Sequence, residues 1–195
     1  KGTFLDQWKT AFVIPVHKRD SKADPTKYRP ISLLSINSKV METVVNKQLQ
    51  NHLINNKLIS SRQFGFRPHH STADLLTILS QSWNASLDTS EEVCIVSCDI
   101  KGAFDRVWHN GLLAKLRSKG VSCMLLTWLR TYLHGRSIKV VLSGQSSDAS
   151  PINASVPQGS ILGPLLFSVF IDDLVYTCEN QLYLYADDST LFADL

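Results

Sequence analysis

The sequence predicts an α+β fold, with helices packed around an antiparallel sheet. Segments with helical and with strand-like spacing of apolar residues follow one another along the 195 residues, without an internal repeat. The clearest strand signal is a hairpin at 182–192, "LYLYADDSTLF", in which β-favouring residues flank a short acidic centre. Hydrophobic residues make up 44% and charged residues 19% of the chain, which is typical of a folded globular protein and excludes a disordered one.

Two extended segments and a long helix are predicted first. "AFVIPVHK" at 11–18 and "YRPISLL" at 28–34 indicate a hairpin whose strands are joined by a polar loop. Apolar residues at helical spacing then predict a helix over 38–55, with Asn37 or Ser38 as its cap.

A loop, a second helix and a strand follow. "FGFRPHHS" at 64–71 indicates the loop, and Ser71 followed by Asp74 is typical of a capping box at the start of a helix that ends near residue 87. "EVCIVSCDI" at 92–100 predicts a buried strand that ends on an acid.

The second half of the chain predicts three helices and a strand pair before the final hairpin. The helices cover 109–119, 122–134 and 160–176, and the strands cover 137–144 and 150–157. The chain length of 195 residues is enough for one good-sized domain or two small lobes.

Charge and cysteine content narrow the class of protein. The net charge of +3 permits a nucleic-acid partner without requiring one. The four cysteines form no CxxC pair and no zinc-like cluster, so we expect them reduced, buried and without disulfide partners. The longest apolar run, 161–171, is too short to cross a bilayer, and no membrane partner is expected. Because the chain starts at Lys1 and stops at Leu195, just after an apolar stretch, we expect it to be part of a longer polypeptide.

Three acids stand out in this pattern. Asp187 and Asp188 lie at the tip of the final hairpin, and Asp99 ends a predicted strand. A solvated turn is the plain alternative for the pair, and a strand-end cap or an ion-pair partner is the alternative for Asp99. The apolar flanks of the hairpin argue for packing on both sides, where adjacent carboxylates require a cation. Three carboxylates are hard oxygen ligands that suit magnesium.

Other acids and histidines are weaker candidates. Asp172 and Asp173 lie near the end of a predicted helix, where neighbouring side chains diverge by about 100° and cannot easily share an ion. Asp105 is interpreted as structural. His69 and His70 have no third ligand at suitable spacing, so metal binding is not expected there.

Several ordered blocks resemble a known family. "SCDIKGAFDRVWH" at 97–109, "SVPQGSILGPLLF" at 155–167 and "YADD" at 185–188 come in the order found in reverse transcriptases, most like those of non-LTR retrotransposons of the LINE type. "AFVIPVHK", "YRPISLL" and "QFGFRPHHST" resemble the fingers segments of the same family. The resemblance implies a right-hand polymerase, with fingers at 1–90, an antiparallel palm sheet packed with helices at 91–195, and the thumb absent.

The resemblance implies a role for each acid. Asp99, Asp187 and Asp188 would be the catalytic carboxylates. Asp99 and Asp187 would hold two magnesium ions, Asp188 would be a more peripheral ligand, and the backbone carbonyl of Ile100 would face a metal. Manganese is the expected substitute.

The resemblance also implies residues that contact the incoming deoxynucleoside triphosphate. Phe104 would lie beneath its sugar and exclude a 2′-hydroxyl; without the resemblance, Phe104 is a core aromatic. Gln158 would donate to the sugar or a phosphate, and Gly159 would let the backbone approach the ligand. A plain helix entry is the alternative for both.

Basic residues complete the implied site. Lys18 and Arg29 would bind the triphosphate, and a guanidinium suits phosphate bidentately. Arg67, with His69 and His70, would cradle template phosphates before a helix N-terminus. A solvated surface charge is the alternative for each.

The function implied is RNA-directed DNA polymerisation, with an RNA template, a DNA primer and deoxynucleoside triphosphates as partners. A group II intron maturase, an RNA-dependent RNA polymerase, and a decayed remnant that only binds nucleic acid are the alternatives. The resemblance further implies a parent chain with thumb and endonuclease regions, little or no activity of this piece alone, and an intracellular protein that acts in the nucleus.

Overall fold

A computed structural model describes residues 2–18, 21–89 and 92–194. The expected boundary between fingers and palm, at residues 90 and 91, lies outside the described residues, as do two residues of the first polar loop, Arg19 and Asp20. The division into 1–90 and 91–195 therefore stays a prediction.

The described residues form eight strands and five α-helices. The strands are β1 (Thr10–His17), β2 (Tyr28–Leu33), β3 (Val93–Asp99), β4 (Arg136–Leu142), β5 (Gln145–Ser146), β6 (Ser150–Ile152), β7 (Gln181–Tyr185) and β8 (Asp188–Asp194). The helices are α1 (Ile36–Asn55), α2 (Thr72–Asp88), α3 (His109–Ser118), α4 (Cys123–Leu133) and α5 (Gly163–Ile171). The predicted α+β class is confirmed.

The strands form two sheets. The first sheet has the order β2-β1-β4-β5, with β6 paired to β4, and its β1–β2 pair is the predicted antiparallel hairpin. β1 and β4 run parallel, so strands from both halves of the chain meet in this sheet. The second sheet has the order β3-β8-β7 and is antiparallel throughout.

The β7–β8 hairpin packs on both faces, as its sequence predicts. Leu182 and Leu184 point into the main core, which also contains the buried faces of α3, α4 and α5. Phe192 points the other way, into a smaller cluster with Leu75 and Leu79 of α2. The hairpin is therefore the layer between the two cores, and this fixes the position of its tip.

The prediction that β3 is buried was wrong. β3 is an edge strand of the second sheet, and its first residue, Val93, packs against the smaller cluster. Ile95 and Val96 keep 44% and 46% of their surface exposed. The prediction of buried cysteines fails for the same reason at Cys94 and Cys98, which lie on β3. Cys123, in the first turn of α4, is also exposed, and Cys178 is half-buried.

α1 is formed as predicted but buries an unexpected face. Val40 and Val44 are exposed, whereas Ser38 and Glu42 are fully buried. The helix begins two residues earlier than predicted, at Ile36, and its N-cap is Ser35, not Asn37 or Ser38. The buried face of the helix combines the predicted apolar residues Leu49 and Leu53 with a buried polar contact, described below.

The N-terminus of α2 has the predicted capping box. The Ser71 hydroxyl accepts a hydrogen bond from the Asp74 N–H, and the Asp74 carboxylate accepts one from the Ser71 N–H. No helix in the described part of the chain is long and apolar enough to cross a membrane.

Candidate active site

The tip of the β7–β8 hairpin is a two-residue turn. Tyr185 and Asp188 are directly paired, which leaves Ala186 and Asp187 as the turn residues. Ala186 has a φ of 59°, in the left-handed region that an L-residue adopts at a cost. Ala186 is also buried, while Asp187 is half-buried and Asp188 is exposed. The turn thus sets its apolar residue into the protein and presents the two acids outward.

Asp99 lies directly opposite Asp188 in the β3–β8 pair. Residues paired in this way have Cβ atoms about 4.5–5.5 Å apart and share one face of the sheet. Tyr185, Asp188 and Asp99 therefore form one row across the three strands. Strand pairing thus places Asp99 of β3 beside Asp188, the residue that follows the turn.

The donor set at this corner fits a divalent cation. Asp99, Asp187 and Asp188 supply carboxylate oxygens, the ligands that magnesium and manganese take in proteins. Like charges placed directly opposite are destabilising without a counter-ion. In the described part of the chain, no three acidic, histidine or cysteine side chains already converge on one point. Asp99 and Asp188 are both exposed at this corner.

The carbonyl of Ile100 follows Asp99 at the end of β3. It accepts a hydrogen bond from the Ala103 N–H at 3.2 Å, which closes the turn after the strand. A carbonyl oxygen has two lone pairs, so this contact leaves one for another ligand. The predicted role of Ile100 toward a metal stays a prediction.

Gln63 and Gly65 contact the turn from below, and sequence reasoning missed both. The Gln63 side-chain oxygen accepts hydrogen bonds from the Gly65 N–H at 2.8 Å and the Ala186 N–H at 3.2 Å. A Cβ at Gly65 would lie 2.2 Å from the Ala186 nitrogen, so only glycine fits there. The family resemblance places the segment "QFGF" in the fingers, and nothing in its composition indicates a contact with the acidic turn.

Phe104 lies in a short 3-10 turn just after β3. Its ring stacks on Phe167 of α5, with centroids 4.6 Å apart, and meets the edge of Phe66 at 5.9 Å. Its carbonyl accepts a hydrogen bond from the Val156 N–H at 3.0 Å. Phe104 is half-buried, so it packs in part against the core, and its predicted role toward a sugar stays a prediction.

Gln158 and Gly159 lie in the exposed loop between β6 and α5. Gly159 has a φ of 78°, and a Cβ there would lie 3.0 Å from the Ser32 carbonyl oxygen of β2. The loop therefore approaches the first sheet closely. A cavity of about 270 Å³ lies beside it, and its lining includes Gln158, Asp105 and Arg136. The close approach that requires glycine in this structure is to the protein backbone, and the predicted approach of Gly159 to a ligand stays a prediction.

Glu42 holds the segment that follows this loop. Its buried carboxylate accepts hydrogen bonds from the N–H groups of Ile161 at 2.8 Å and Leu162 at 3.3 Å, and from the Ser38 hydroxyl at 2.6 Å. Glu42 is fully buried. Sequence reasoning missed it, although one acid inside the apolar run "KVMETVV" was a signal.

His109 and Arg136 lie near the loop between β6 and α5. His109 Nε2 is 2.7 Å from the carbonyl oxygen of Ser155, and Ser155 has a φ of 100°. Burial lowers the pKa of His109, and the charges of His134 and Arg136 lower it further. Burial also lowers the pKa of Arg136, whose guanidinium lies over the rings of Phe4 and Tyr132. The His109 contact ties α3 to this loop at Ser155, its residue of positive φ.

The basic residues predicted to bind phosphates lie on separate elements. Arg29 is paired with Val16 and projects from the outer face of the β1–β2 hairpin, whereas Ser32 meets the Gly159 loop from the inner face. Lys18 is exposed at the end of β1. Arg67 donates a hydrogen bond to the Ser60 carbonyl at 2.6 Å, so it braces its own loop. Their predicted roles toward triphosphate and template stay predictions.

The second acid pair is structural. Asp172 is buried, accepts a hydrogen bond from the Ser60 N–H at 2.7 Å and pairs with Lys119 at 2.6 Å. Asp173 is exposed and pairs with Lys115 at 2.5 Å. The two side chains diverge and have different partners, as expected at the end of a helix.

Two kinds of comparison agree on the family. A model described as "Reverse transcriptase (RNA-dependent DNA polymerase)" matches residues 16–195. The probable RNA-directed DNA polymerase from transposon BS of Drosophila melanogaster is 37% identical over 96% of this chain and 22% of its own length. The RNA-directed DNA polymerase from mobile element jockey, also of Drosophila melanogaster, is 37% identical over 89% of this chain and 19% of its own length. The chain thus spans about a fifth of these relatives.

Solved structures with the same fold include telomerase from Candida tropicalis. The telomerase in complex with a TWJ fragment of telomeric RNA has a TM-score of 0.73 and 12% identity, covering 99% of this chain and 37% of that chain. An apo form truncated from its C-terminal domain has a TM-score of 0.70 and 16% identity, covering 96% and 44%. At such identities the likeness concerns the fold, and it confirms the predicted polymerase fold. The resemblance to the enzymes of non-LTR retrotransposons is confirmed by the relatives, and the chain belongs to the reverse transcriptase family.

Proposed function

We propose that the protein is the polymerase of a non-LTR retrotransposon and copies an RNA template into DNA. The reaction adds a deoxynucleotide to a primer 3′-hydroxyl and releases pyrophosphate. The observation that carries the proposal is the pairing of Asp99 with Asp188, beside the turn that presents Asp187. Membership of the reverse transcriptase family and the names of the relatives support it.

Asp99, Asp187 and Asp188 are proposed to hold two magnesium ions, or manganese in their place. When bound, such ions activate the attacking hydroxyl and stabilise the leaving phosphate oxygen. The protein's part is to fix anionic oxygens on a rigid hairpin, so that the primer end and the triphosphate meet in line. The packing of that hairpin between two cores supports this role.

Substrate selection is proposed to depend on the half-buried ring of Phe104. Phe167 backs the ring, which stays in place because the stack is part of the main core. Such a fixed ring would collide with a 2′-hydroxyl and so favour deoxynucleotides. Gln158 would bind the sugar or a phosphate from the loop that Glu42 anchors.

Template and triphosphate contacts are proposed for the basic residues of the first half of the chain. Arg29 and Lys18 would neutralise the triphosphate, and Arg67 would contact template phosphates. The sequence of the template would be read by base pairing, so a net charge of +3 is sufficient for this part of the protein. We further propose that thumb and endonuclease regions complete the parent chain and that it acts in the nucleus.

A template-dependent incorporation assay tests the proposal. The full-length protein is given a labelled DNA primer on an RNA template, with magnesium and one deoxynucleotide at a time. Only the nucleotide complementary to the next template base should be added. Addition that ignores the template, equal use of ribonucleotides, or binding of the primer–template without extension would each contradict it.

A further inference from the structure

The turn that carries Asp187 is held in an unfavourable conformation. Ala186 has a φ of 59°, and it is buried. A non-glycine residue keeps this conformation only where the surrounding structure imposes it. The contacts of Ala186 therefore decide where the following residue, Asp187, is placed.

Gln63 supplies the polar contact. It is fully buried, and its side-chain oxygen accepts hydrogen bonds from both the Gly65 N–H and the Ala186 N–H. Because Ala186 lies in the turn, between the paired residues Tyr185 and Asp188, its N–H is outside the ladder of β7 and β8. Without the Gln63 oxygen, this buried donor would be left unsatisfied.

The main chain of the same loop fixes the position of Gln63. The Phe64 N–H donates to the Leu184 carbonyl at 2.8 Å, and the Leu184 N–H donates to the Arg62 carbonyl at 2.9 Å. Gln63 forms a parallel bridge with Leu184, so the loop extends the edge of the second sheet. Gly65 then packs against the Ala186 backbone with no space for a side chain. The loop can hold the turn in one register only.

We propose that Gln63 is a positioning residue for catalysis: its side-chain oxygen fixes the Ala186 N–H and thereby the placement of Asp187. This inference rests on the proposed polymerase function. The loop at 62–65 would then position a metal ligand, Asp187, in addition to the template contact expected from the neighbouring Arg67. Residues that orient ligands in this way change metal affinity or activity by about 10- to 100-fold when they are lost.

The test uses variants of Gln63 in the full-length protein. Gln63→Met keeps the length and volume of the side chain but removes the acceptor, Gln63→Glu keeps an oxygen, and Gln63→Asn withdraws the acceptor by one methylene. Gln63→Met and Gln63→Asn should lower kcat by roughly 10- to 100-fold and raise the magnesium concentration for half-maximal rate, with little change in the KM for deoxynucleotide. Gln63→Glu should be closer to native.

A second readout is independent of activity. Hydrogen–deuterium exchange of a peptide covering 182–188 should be slow in the native protein and faster in Gln63→Met and Gln63→Asn. Leu129→Ala, at a fully buried site in α4, is the control for general destabilisation: it should leave the magnesium dependence unchanged and should raise this exchange less than Gln63→Met does. If Gln63→Met does not fold, Gln63→Asn decides the result.

The inference and the proposed function fail in different ways. Native kcat and magnesium dependence in Gln63→Met or Gln63→Asn, or changes no larger than those of Leu129→Ala, would overturn the role of Gln63 alone. Native activity of Asp187→Asn in the same assay would overturn the catalytic assignment itself.

Discussion

The buried carboxylate of Glu42 accepts a hydrogen bond from the backbone N–H of Ile161, at 2.8 Å and across 119 residues of sequence. This contact joins α1 to the segment that follows Gln158 and Gly159. A helix in the first half of the chain thus holds a loop that belongs to the proposed nucleotide site.

Replacing Glu42 should therefore destabilise the protein. Glu42→Ala leaves the N–H groups of Ile161 and Leu162 without an acceptor, at a cost of about 1–3 kcal/mol each. We expect a loss of roughly 2–5 kcal/mol in the free energy of unfolding, measured by urea denaturation. Glu42→Gln keeps one oxygen and should lose less. Glu179→Ala, at an exposed site, is the control, and a loss for Glu42→Ala no larger than this control would refute the assignment.

Phe104 should determine the preference for deoxynucleotides. Phe104→Val removes the ring that would meet a 2′-hydroxyl, and the ratio of kcat/KM for deoxynucleotide over ribonucleotide should fall by roughly 10- to 100-fold. Single-nucleotide incorporation measures both constants. Phe104→Tyr keeps the ring, and Phe170→Val, at another half-buried aromatic, leaves it untouched, so both should keep the preference. An unchanged ratio in Phe104→Val would show that the ring is only part of the core.

His109 should make stability depend on pH. Burial lowers the pKa of His109 in the folded protein, so below the unfolded value of about 6.5 the unfolded chain binds a proton that the folded chain does not. The free energy of unfolding should fall as the pH is lowered through this region, by at most about 1.4 kcal/mol per pH unit from this group.

The matched variants for this pH effect are His109→Gln and His69→Gln. His109→Gln keeps a donor toward Ser155 without the titration, and urea denaturation between pH 5 and pH 8 should give a flatter profile. His69 is exposed, and His69→Gln should keep the native slope. An equal slope in all three proteins would mean that the acid sensitivity has another origin.

The elements that the sequence predicted well are those decided by local chemistry. The final hairpin with its acidic tip and the capping box of Ser71 and Asp74 each depend on residues that are close together in the chain. The meeting of Asp99 with the hairpin was also predicted, since a strand end and a hairpin tip are both common places for a site. The predicted role of each acid toward a metal ion rests on the family resemblance.

The features that the sequence did not reveal depend on what packs against each element. Apolar spacing in α1 predicted a helix, but it could not show that Val40 and Val44 are exposed and that Glu42 is buried against the segment of Ile161. Periodicity likewise could not show that β3 lies at a sheet edge. Gln63 escaped notice because a single amide in a loop has no local signature, and its partner Ala186 is 123 residues away.

Primer extension by the full-length protein with Asp187→Asn tests the central claim most directly. The assay uses an RNA template, a DNA primer, deoxynucleotides and magnesium, and Asp173→Asn is the control because the Asp173 carboxylate is already paired with Lys115. If Asp99, Asp187 and Asp188 form the catalytic site, Asp187→Asn should lower the rate by about 1,000-fold or more, Asp188→Asn should have a smaller effect, and Asp173→Asn should stay near the native rate. A rate for Asp187→Asn equal to that of the native protein would contradict the assignment.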